Sequence, residues 1–580
     1  MRLLFTSPHA LLDPASGAAH SMRTLLERLA ARGHAVASLT GSVQDGLGAP
    51  AEFEQLGAAA CGRPGREGGP PVLRGRQGGL DHVVVRTGST RQANLKANEE
   101  AGLHRAWRSA LRQWRPDAVL TFGGMLYSRL VLAEARTRGI ATGFYLAAPG
   151  YEGRAAFDDA DLVFAVSAAV ALENGLAADD PRMRVISSMI DLERYRVSDP
   201  DPRYVLFVNP QAAKGVAVFV AVAELSERLG RPHRFLVVES RGTWASAVAQ
   251  FPSLKQRRNV TVLPRQGDMR AVYRLARTVM FPSLWFEAAG RVVREAGING
   301  IPVVAHRVGG VEETVPHGLR LLEPPQSLCD DWVSAVPEAF ARSWLDELDR
   351  LHADSAHRAE WSSRIRAAVE RYSLEELVST VERGLAEQGR AGRDGVAASR
   401  GGGHGAKVAT AAEAEAEAAA GHGRTAQRIL CVGVPCVLDG TSPRAAAVRA
   451  RLEALAARGH DVRVLCGSVL ETPEGARLLE RAPRSGTWTA DTSQPPRLVR
   501  GGLLRGVRYR VLCFGTNRAE ELLSAELRML FLALLDIERG WRPEAIITIC
   551  GGLLPRLLRL RARAQGIPLL HWGAVAAGAG

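Results

Sequence analysis

The sequence lacks any uninterrupted apolar run of the roughly 18 or more residues that a membrane-spanning helix needs. Its first residues, MRLLFTSPHALLD, contain one arginine and a short apolar run that ends in Ser-Pro, which indicates a first β-strand rather than a signal peptide. The seven cysteines include no CxxC pair, so neither a zinc finger nor a dithiol redox motif is indicated. These absences predict a cytoplasmic protein whose cysteines are mostly buried free thiols.

Lysine is also scarce, and the formal net charge of +13 comes mostly from arginine. A basic balance favours anionic partners such as nucleotide diphosphates, lipid headgroups or nucleic acid. Zinc-finger spacing, RNA-binding aromatic motifs and extended basic blocks are all missing, which argues against nucleic acid. The charge is compatible with peripheral contact with an anionic membrane, although no amphipathic anchor is evident.

The length of 580 residues, of which 46% are hydrophobic, corresponds to three or four units of Rossmann size. Strand patterns alternate with helical patterns from the start of the chain, which predicts an α/β fold. The loop after the first strand contains Ser16 and Gly17 but lacks a G-x-G-x-x-G fingerprint. Two interpretations of this loop remain open, a structural turn and a loop that approaches a ligand.

The most informative stretch is residues 281–313, FPSLWFEAAGRVVREAGINGIPVVAHRVGGVEE. A helix that begins near Gly290 would present free backbone N–H groups to a diphosphate, with Glu287 in the preceding loop and Glu295 inside the helix. Each carboxylate can accept two hydrogen bonds from a vicinal diol, so one could hold a ribose and the other a sugar. An isolated pair at this spacing would indicate solvated charges, but the flanking strands, VMFPS and IPVVA, favour a binding site.

This order of elements resembles the donor-sugar signature of retaining glycosyltransferases of the GT-B fold, in particular family 4 (glycosyltransferase group 1). The resemblance implies two Rossmann-like domains that face a cleft. It also implies transfer of a sugar from a nucleotide-diphosphate donor to an acceptor hydroxyl with retention, in glycan or glycolipid biosynthesis. No metal and no cofactor are expected. The partners are the donor and an unidentified acceptor, and the oligomeric state is left open.

The resemblance also assigns roles to residues. Glu287 would orient the sugar, Glu295 would hold the ribose, and Lys214 would contact the diphosphate, so Glu287 and Lys214 are the predicted catalytic residues. The predicted donor-binding residues are Asn209, Leu263, Gly290, Arg291, Glu295, Gly309 and Gly310, and the predicted acceptor-side loop contains Ser16 and Gly17. Two departures stand out. Asn209 replaces an arginine of the family, and the segment Phe144-Tyr145-Leu146-Ala147 has no sugar-side histidine, so no catalytic base is identified.

The chain also contains an internal repeat, because residues from 427 onward align with residues from 1 onward at an offset of 426 (427 minus 1). Trp114 meets Trp541, and Gly123-Gly124 meets Gly551-Gly552, once short gaps are allowed. The repeat has no counterpart of residues 281–313. It is interpreted as an acceptor-recognition or docking module, a pairing surface for another subunit, or the remnant of a tandem enzyme.

The predicted organisation is therefore an N-terminal Rossmann-like domain at 1–198, a nucleotide-sugar-binding domain at 199–388, a flexible linker at 389–426 and a partial Rossmann-like repeat at 427–580. A phosphorylase or an epimerase of the same fold is a rival that would need a further base or phosphate site. A non-catalytic sugar-nucleotide-binding or scaffold protein is the second rival, favoured by Asn209 and by the missing histidine.

Overall fold

The computed structural model describes residues 1–45, 72–151, 156–401, 426–470, 483–488, 497–514, 516, 521–549 and 552–572. Within these residues the chain forms three predominantly parallel sheets, which confirms the predicted α/β class. None of the described helices combines the length and the apolarity needed to cross a bilayer.

The first sheet has eight strands in the order β3-β4-β2-β1-β5-β6-β7-β8. Its strands are β1 (Arg2–His9), β2 (Ala35–Val43), β3 (Val72–Gln77), β4 (Leu80–Val85), β5 (Ala118–Thr121), β6 (Ala141–Leu146), β7 (Leu162–Ala165) and β8 (Met183–Val185). Its helices are α1 (Gly17–Ala31), α2 (Ala97–Gln113), α3 (Leu126–Arg136) and α4 (Ala168–Glu173). The strands are parallel except for the hairpin between β3 and β4. Residues 72–77 are therefore paired in the sheet, and residues 46–71 lie outside the described residues.

The second sheet has six parallel strands in the order β11-β10-β9-β12-β13-β14. They are β9 (Tyr204–Val208), β10 (Phe235–Val238), β11 (Val260–Leu263), β12 (Ala276–Phe281), β13 (Val303–His306) and β14 (Arg320–Leu322). The helices are α5 (Val216–Arg228), α6 (Trp244–Gln250), α7 (Arg270–Leu275), α8 (Arg291–Gly297), α9 (Val311–Thr314), α10 (Gln326–Asp330), α11 (Glu338–Ala353), α12 (Ser355–Glu370) and α13 (Leu374–Gly401).

Helix α13 returns to the first domain. Its apolar residues Val378, Val381 and Leu385 are fully buried in the core under the first sheet. Arg32 at the end of α1 forms 2.6 Å ion pairs with two carboxylates of α13. The helix continues to Gly401, so the first part of the predicted linker is helical, while residues 402–425 lie outside the described residues.

The third sheet repeats the first, in the order β17-β18-β19-β16-β15-β20-β21. It contains β15 (Arg428–Pro435), β16 (Asp461–Val469), β17 (Arg484–Trp488), β18 (Arg497–Leu504), β19 (Val507–Leu512), β20 (Ala545–Thr548) and β21 (Leu569–His571), with helices α14 (Pro443–Ala457), α15 (Ser524–Trp541) and α16 (Leu553–Ala564). The correspondence extends to details. Ser16 and Ser442, which are equivalent, both cap a helix by accepting from the backbone N–H three residues later.

The repeat packs on the first domain through equivalent helices. Apolar residues of α3 share one buried cluster with residues of α15 and α16. Lys96 and Leu523, which are equivalent at an offset of 427 (523 minus 96), form an antiparallel bridge. On either side Ala97 N donates to Leu522 O at 2.8 Å and Ser524 N donates to Leu95 O at 2.7 Å. Because these two bonds join equivalent positions reciprocally, the copies are related locally by a pseudo-two-fold axis.

Candidate functional site

The candidate site lies where β9 and β12 end. A short 3₁₀ turn, Ala212–Lys214, follows β9 and closes at Gly215, whose φ is +80°. A Cβ atom at Gly215 would lie 1.8 Å from the carbonyl oxygen of Pro282, so only glycine allows the two loops to approach so closely. This approach brings Lys214 to the segment that contains Glu287.

Lys214 and Glu287 form an ion pair through Glu287 Oε1. Ser283 Oγ donates a 2.6 Å hydrogen bond to the same oxygen, and only 8% of Glu287 is exposed. The predicted turn at Gly309 and Gly310 packs directly on this residue, because Gly310 N donates to Glu287 O at 2.8 Å. A Cβ at Gly309 would lie 2.2 Å from the same carbonyl oxygen. The two glycines therefore fix the backbone that carries the carboxylate.

Helix α8 begins after Gly290, as the sequence predicts, and Gly290 has a φ of +62°. The helix is seven residues long. Glu295, its fifth residue, accepts a 2.8 Å hydrogen bond from the Tyr273 hydroxyl and lies 3.3 Å from the Arg291 guanidinium. Burial raises the pKa of Glu295, although Arg291 and Tyr273 oppose the shift. The carboxylate is thus held in one orientation at the site.

Arg291 connects α8 to the first domain. Its guanidinium is 3.4 Å from Ser21 Oγ and 3.3 Å from the Tyr195 hydroxyl. A Cβ at Gly17 would lie 3.3 Å from Arg291 Cδ, so the loop at Ser16 and Gly17 faces the second domain directly. Ser16 itself caps α1. The loop is therefore a structural turn that also borders the cleft, and its approach to a ligand stays a prediction.

Asn209 and Leu263 lie further along the same edge of the second sheet, after β9 and at the end of β11. Leu263 O accepts a 3.0 Å hydrogen bond from Glu239 N, so its carbonyl group already has a backbone partner. Asn209 Oδ1 is buried and forms no hydrogen bond within the described structure. An amide at this position adds no positive charge, and the cations brought to the site are Lys214 and Arg291.

Three residues at the cleft were not identified from the sequence. Arg241, after β10, donates to Ala15 O at 2.9 Å and to Asp45 Oδ2 at 2.6 Å, joining the two domains. Trp285 lies beside Glu287, is 44% exposed, and packs edge-on against Trp332 with ring centroids 5.9 Å apart. The position of Trp285 inside the 281–313 stretch was a usable signal, because exposed tryptophans often mark binding surfaces.

The third residue that the sequence did not identify is His20 on α1. It is of interest because the chain lacks the histidine that the family places near the sugar. Its Nε2 lies 3.0 Å from Pro14 O, and burial together with the charge of Arg291 lowers its pKa to about 4. The position where the family has a histidine is near Tyr145, whose pKa burial raises to about 12. Both side chains are therefore uncharged at neutral pH. In the part of the chain that the structure describes, no group of three or more His, Cys, Asp or Glu residues is arranged to hold a metal ion.

Comparison with known proteins agrees with this geometry. Residues 192–359 match the family model "Glycosyl transferases group 1". Two solved structures superpose on 67% of the chain with a TM-score of 0.50, a sucrose-phosphate synthase from Thermosynechococcus elongatus at 18% identity and a glycosyltransferase from Rickettsia africae at 14%. They are covered over 99% and 98% of their lengths, respectively. The two facing domains therefore have the GT-B fold of these structures, and residues 192–359 are similar to the glycosyltransferase group 1 family, as the motifs predicted.

More specific similarity is found with curated proteins. A D-inositol 3-phosphate glycosyltransferase from Rhodococcus erythropolis is 30% identical over 226 residues, which is 35% of this chain and 51% of that protein. The corresponding protein from Nocardia farcinica is 31% identical over 225 residues, 34% of this chain and 48% of that protein. The chain therefore spans about half the length of the curated relatives it matches.

Proposed function

We propose that residues 1–388 act as a glycosyltransferase that moves a sugar from a nucleotide-diphosphate-sugar to an acceptor hydroxyl, with retention, in glycan or glycolipid biosynthesis. The observation that carries this proposal is the pairing of Lys214 with Glu287 at the ends of β9 and β12, facing the first domain. The similarity to proteins named as D-inositol 3-phosphate glycosyltransferases supports the same class of reaction.

Lys214 and Glu287 are proposed to exchange partners when the donor binds. In the free protein the ammonium and the carboxylate neutralise each other. A diphosphate carries more negative charge than one carboxylate and attracts Lys214 more strongly. Lys214 then stabilises the leaving diphosphate, and Glu287, still positioned by Ser283 and by the Gly309-Gly310 turn, is free to accept hydrogen bonds from sugar hydroxyls.

Arg291 and Glu295 are proposed to hold the rest of the nucleotide. Arg291 lies at the start of α8 beside Gly17, where its guanidinium can contact the diphosphate across the cleft. Glu295 accepts from Tyr273 through Oε2, which leaves Oε1, with its weaker 3.3 Å contact to Arg291, for the ribose diol. Leu263 and Asn209 remain proposed donor contacts, the former through its backbone.

A second candidate is a non-catalytic protein that binds a sugar nucleotide. Two observations favour it: Asn209 occupies the position of an arginine, and the segment from Phe144 to Ala147 has no sugar-side histidine. In this case nucleotide sugars would bind but would not be consumed when acceptors are supplied. The two candidates therefore differ in turnover and agree in binding.

A thermal-shift series with UDP, GDP, ADP and TDP sugars tests the proposal, because a ligand that binds only the folded state raises the melting temperature. We expect one nucleotide to stabilise the chain and Glu295→Ala to abolish that stabilisation. Glu323→Ala, which removes an exposed carboxylate outside the site, is the matched control. If none of the four nucleotides shifts the melting temperature, the proposed function is wrong.

A further inference from the structure

The repeat brings one arginine to the ligand-facing edge of the first domain. Arg528 lies on α15, and its Nη2 is 3.8 Å from the position that a Cβ atom would occupy on Gly124. Gly124 follows β5, at the same sheet edge as His9, which ends β1. The ring of Tyr151 covers the same glycine, with Cδ1 2.9 Å from that Cβ position.

The guanidinium of Arg528 has unused hydrogen-bonding capacity. Its Nε is buried and has no hydrogen-bond partner in the described part of the chain. The same part of the chain contains no carboxylate in an ion pair with Arg528, and the nearby Asp45 is paired with Arg241 at 2.6 Å. The buried carboxylate of Glu100 lies close enough to interact electrostatically with Arg528 but forms no ion pair with it, so the guanidinium keeps donors for a further anion.

His9 supplies a second unpartnered group at this turn. Its Nε2 is 3.1 Å from Gln92 Oε1, which can only accept, so Nε2 carries the proton in that pair. The other nitrogen, Nδ1, is buried, has no hydrogen-bond partner among the described residues, and lies 3.3 Å from the Cβ position of Gly123. In the neutral imidazole Nδ1 accepts a hydrogen bond, which suits a hydroxyl group.

The pseudo-two-fold relation shows that Arg528 is an asymmetric addition. Its equivalent in the first copy, at the offset of 427 that relates α2 to α15 (528 minus 427), is Ala101, which packs against the apolar cluster between the copies. The arginine is therefore present in the repeat, where it lies near the cleft of the first copy. The equivalent position of the first copy has no arginine. The equivalent residue of the first copy, which packs towards the repeat, is an alanine.

We propose that Arg528 completes a site at the Gly123-Gly124 turn for an anionic group, a phosphate or a carboxylate, carried by the acceptor. His9 Nδ1 accepts from a hydroxyl of the same molecule. The repeat thereby acts as a built-in partner domain that adds acceptor specificity. This inference rests on the proposed function, because that function makes the turn part of the acceptor side of the cleft.

Residue-resolved chemical modification of the full chain tests the anion site. Phenylglyoxal reacts with accessible guanidinium groups, and peptide mass analysis reports the rate at each arginine. We expect inorganic phosphate or acetate to slow modification of Arg528 about tenfold, since the anion would occupy its donors. Arg539 on the same helix, whose side chain is 69% exposed, is the control and should be unaffected. The anion that protects better identifies phosphate or carboxylate as the preferred group.

Two outcomes would overturn the proposal. The first is an Arg528 that does not react, or that reacts at the same rate with and without either anion. The second is equal protection of Arg528 and Arg539, which would indicate a general salt effect. The labelling does not need a donor, so it is independent of the thermal-shift series. If no nucleotide binds but the anions still protect Arg528, only the proposed function is overturned. If a nucleotide binds but the anions do not protect Arg528, only the anion site is overturned.

Kinetics provide the second test once the donor is known. Arg528→Gln should raise KM for an anionic acceptor about tenfold and leave donor hydrolysis without acceptor unchanged, and Arg528→Lys should restore part of the affinity. Arg539→Gln is the matched control. Equal loss for neutral and anionic acceptors would contradict the proposal. Equal melting temperatures of the variants show that any loss is not a failure to fold.

Discussion

Lys214 and Glu287 neutralise each other although they come from loops after two different strands, β9 and β12. The pair is possible because Gly215 lets the first loop approach Pro282 and because the Gly309-Gly310 turn supports the second. Ser283 adds a hydrogen bond to the carboxylate oxygen that Lys214 contacts. A charge pair supported in this way is positioned before any ligand arrives, which reduces the reorganisation that catalysis requires.

Removal of Lys214 should therefore affect the chemical step more than the fold. We expect Lys214→Ala to lower kcat by about 100-fold, because one positive charge at the leaving diphosphate is lost. Lys255→Ala, at an exposed position of the same domain, should leave kcat unchanged. Steady-state kinetics with the donor found by thermal shift provide the measurement. Equal rates for Lys214→Ala and wild type would remove Lys214 from the catalytic assignment.

Glu295→Gln should weaken nucleotide binding without loss of the local structure. The amide keeps one acceptor for the Tyr273 hydroxyl but presents donors where the ribose diol needs an acceptor. We expect Kd for the nucleotide to rise about tenfold, because one charge-assisted hydrogen bond is lost. Calorimetry on Glu295→Gln, with Glu323→Gln as control, measures this. Unchanged affinity would show that the ribose is held elsewhere.

The backbone of the candidate donor site was largely predictable because its determinants are local in the sequence. Gly290, the helix that follows it and strand β13 come from one continuous stretch, and each has a residue type that its backbone requires. Gly309 is an example, since its positive φ and its contact with Glu287 leave no room for a side chain. Local constraints of this kind are visible in the order of residues alone.

Contacts between domains were not predictable, because no local pattern records which surfaces meet. Arg241 appears in the sequence as one surface arginine among many, and only the fold brings it to Asp45. Similarly, the repeat was evident from its alignment, but its packing on α2 and α3 of the first copy was not among the three interpretations that the sequence offered. In the structure the equivalent helices of the two copies bury one another in a pseudo-two-fold arrangement, and the three interpretations of the repeat's role stay predictions.

The docked repeat should depend on Arg556 and Glu134, which pair across the interface. Burial opposes ionisation of Glu134, but His104 and Arg556 outweigh it and hold its pKa at about 2. We expect Arg556→Ala to lower the free energy of docking by about 2 kcal/mol, because Glu134 stays buried with one partner fewer and Arg556 is itself partly exposed. Faster hydrogen exchange in α16 at neutral pH is the measurement.

Arg559→Ala is the control, since Arg559 is exposed on the same helix. The pH dependence provides a further check. A carboxylate with a lowered pKa stabilises the folded state above about pH 4.5 and loses that effect as the pH falls towards 2. The difference between wild type and Arg556→Ala should therefore shrink in acid. A constant difference would mean that Arg556 acts through packing rather than through Glu134.

Glu100 should give the opposite pH dependence within the same interface. It is fully buried, accepts from Tyr127 N at 2.6 Å and from Ser524 Oγ of the repeat at 2.5 Å, and burial raises its pKa from 4.5 to about 6. A raised pKa contributes stability that is complete below pH 4.5 and is lost as the pH rises through 6. The shift corresponds to about 2 kcal/mol.

Glu100→Gln, which stays neutral, should have the same free energy of unfolding as wild type near pH 4.5 and a free energy larger by that amount above pH 7. Urea unfolding of both proteins across this range, with exchange in α15 to locate the effect, measures it. Parallel stability curves would show that Glu100 ionises without cost, and that the buried carboxylate is compensated by the arginines around it.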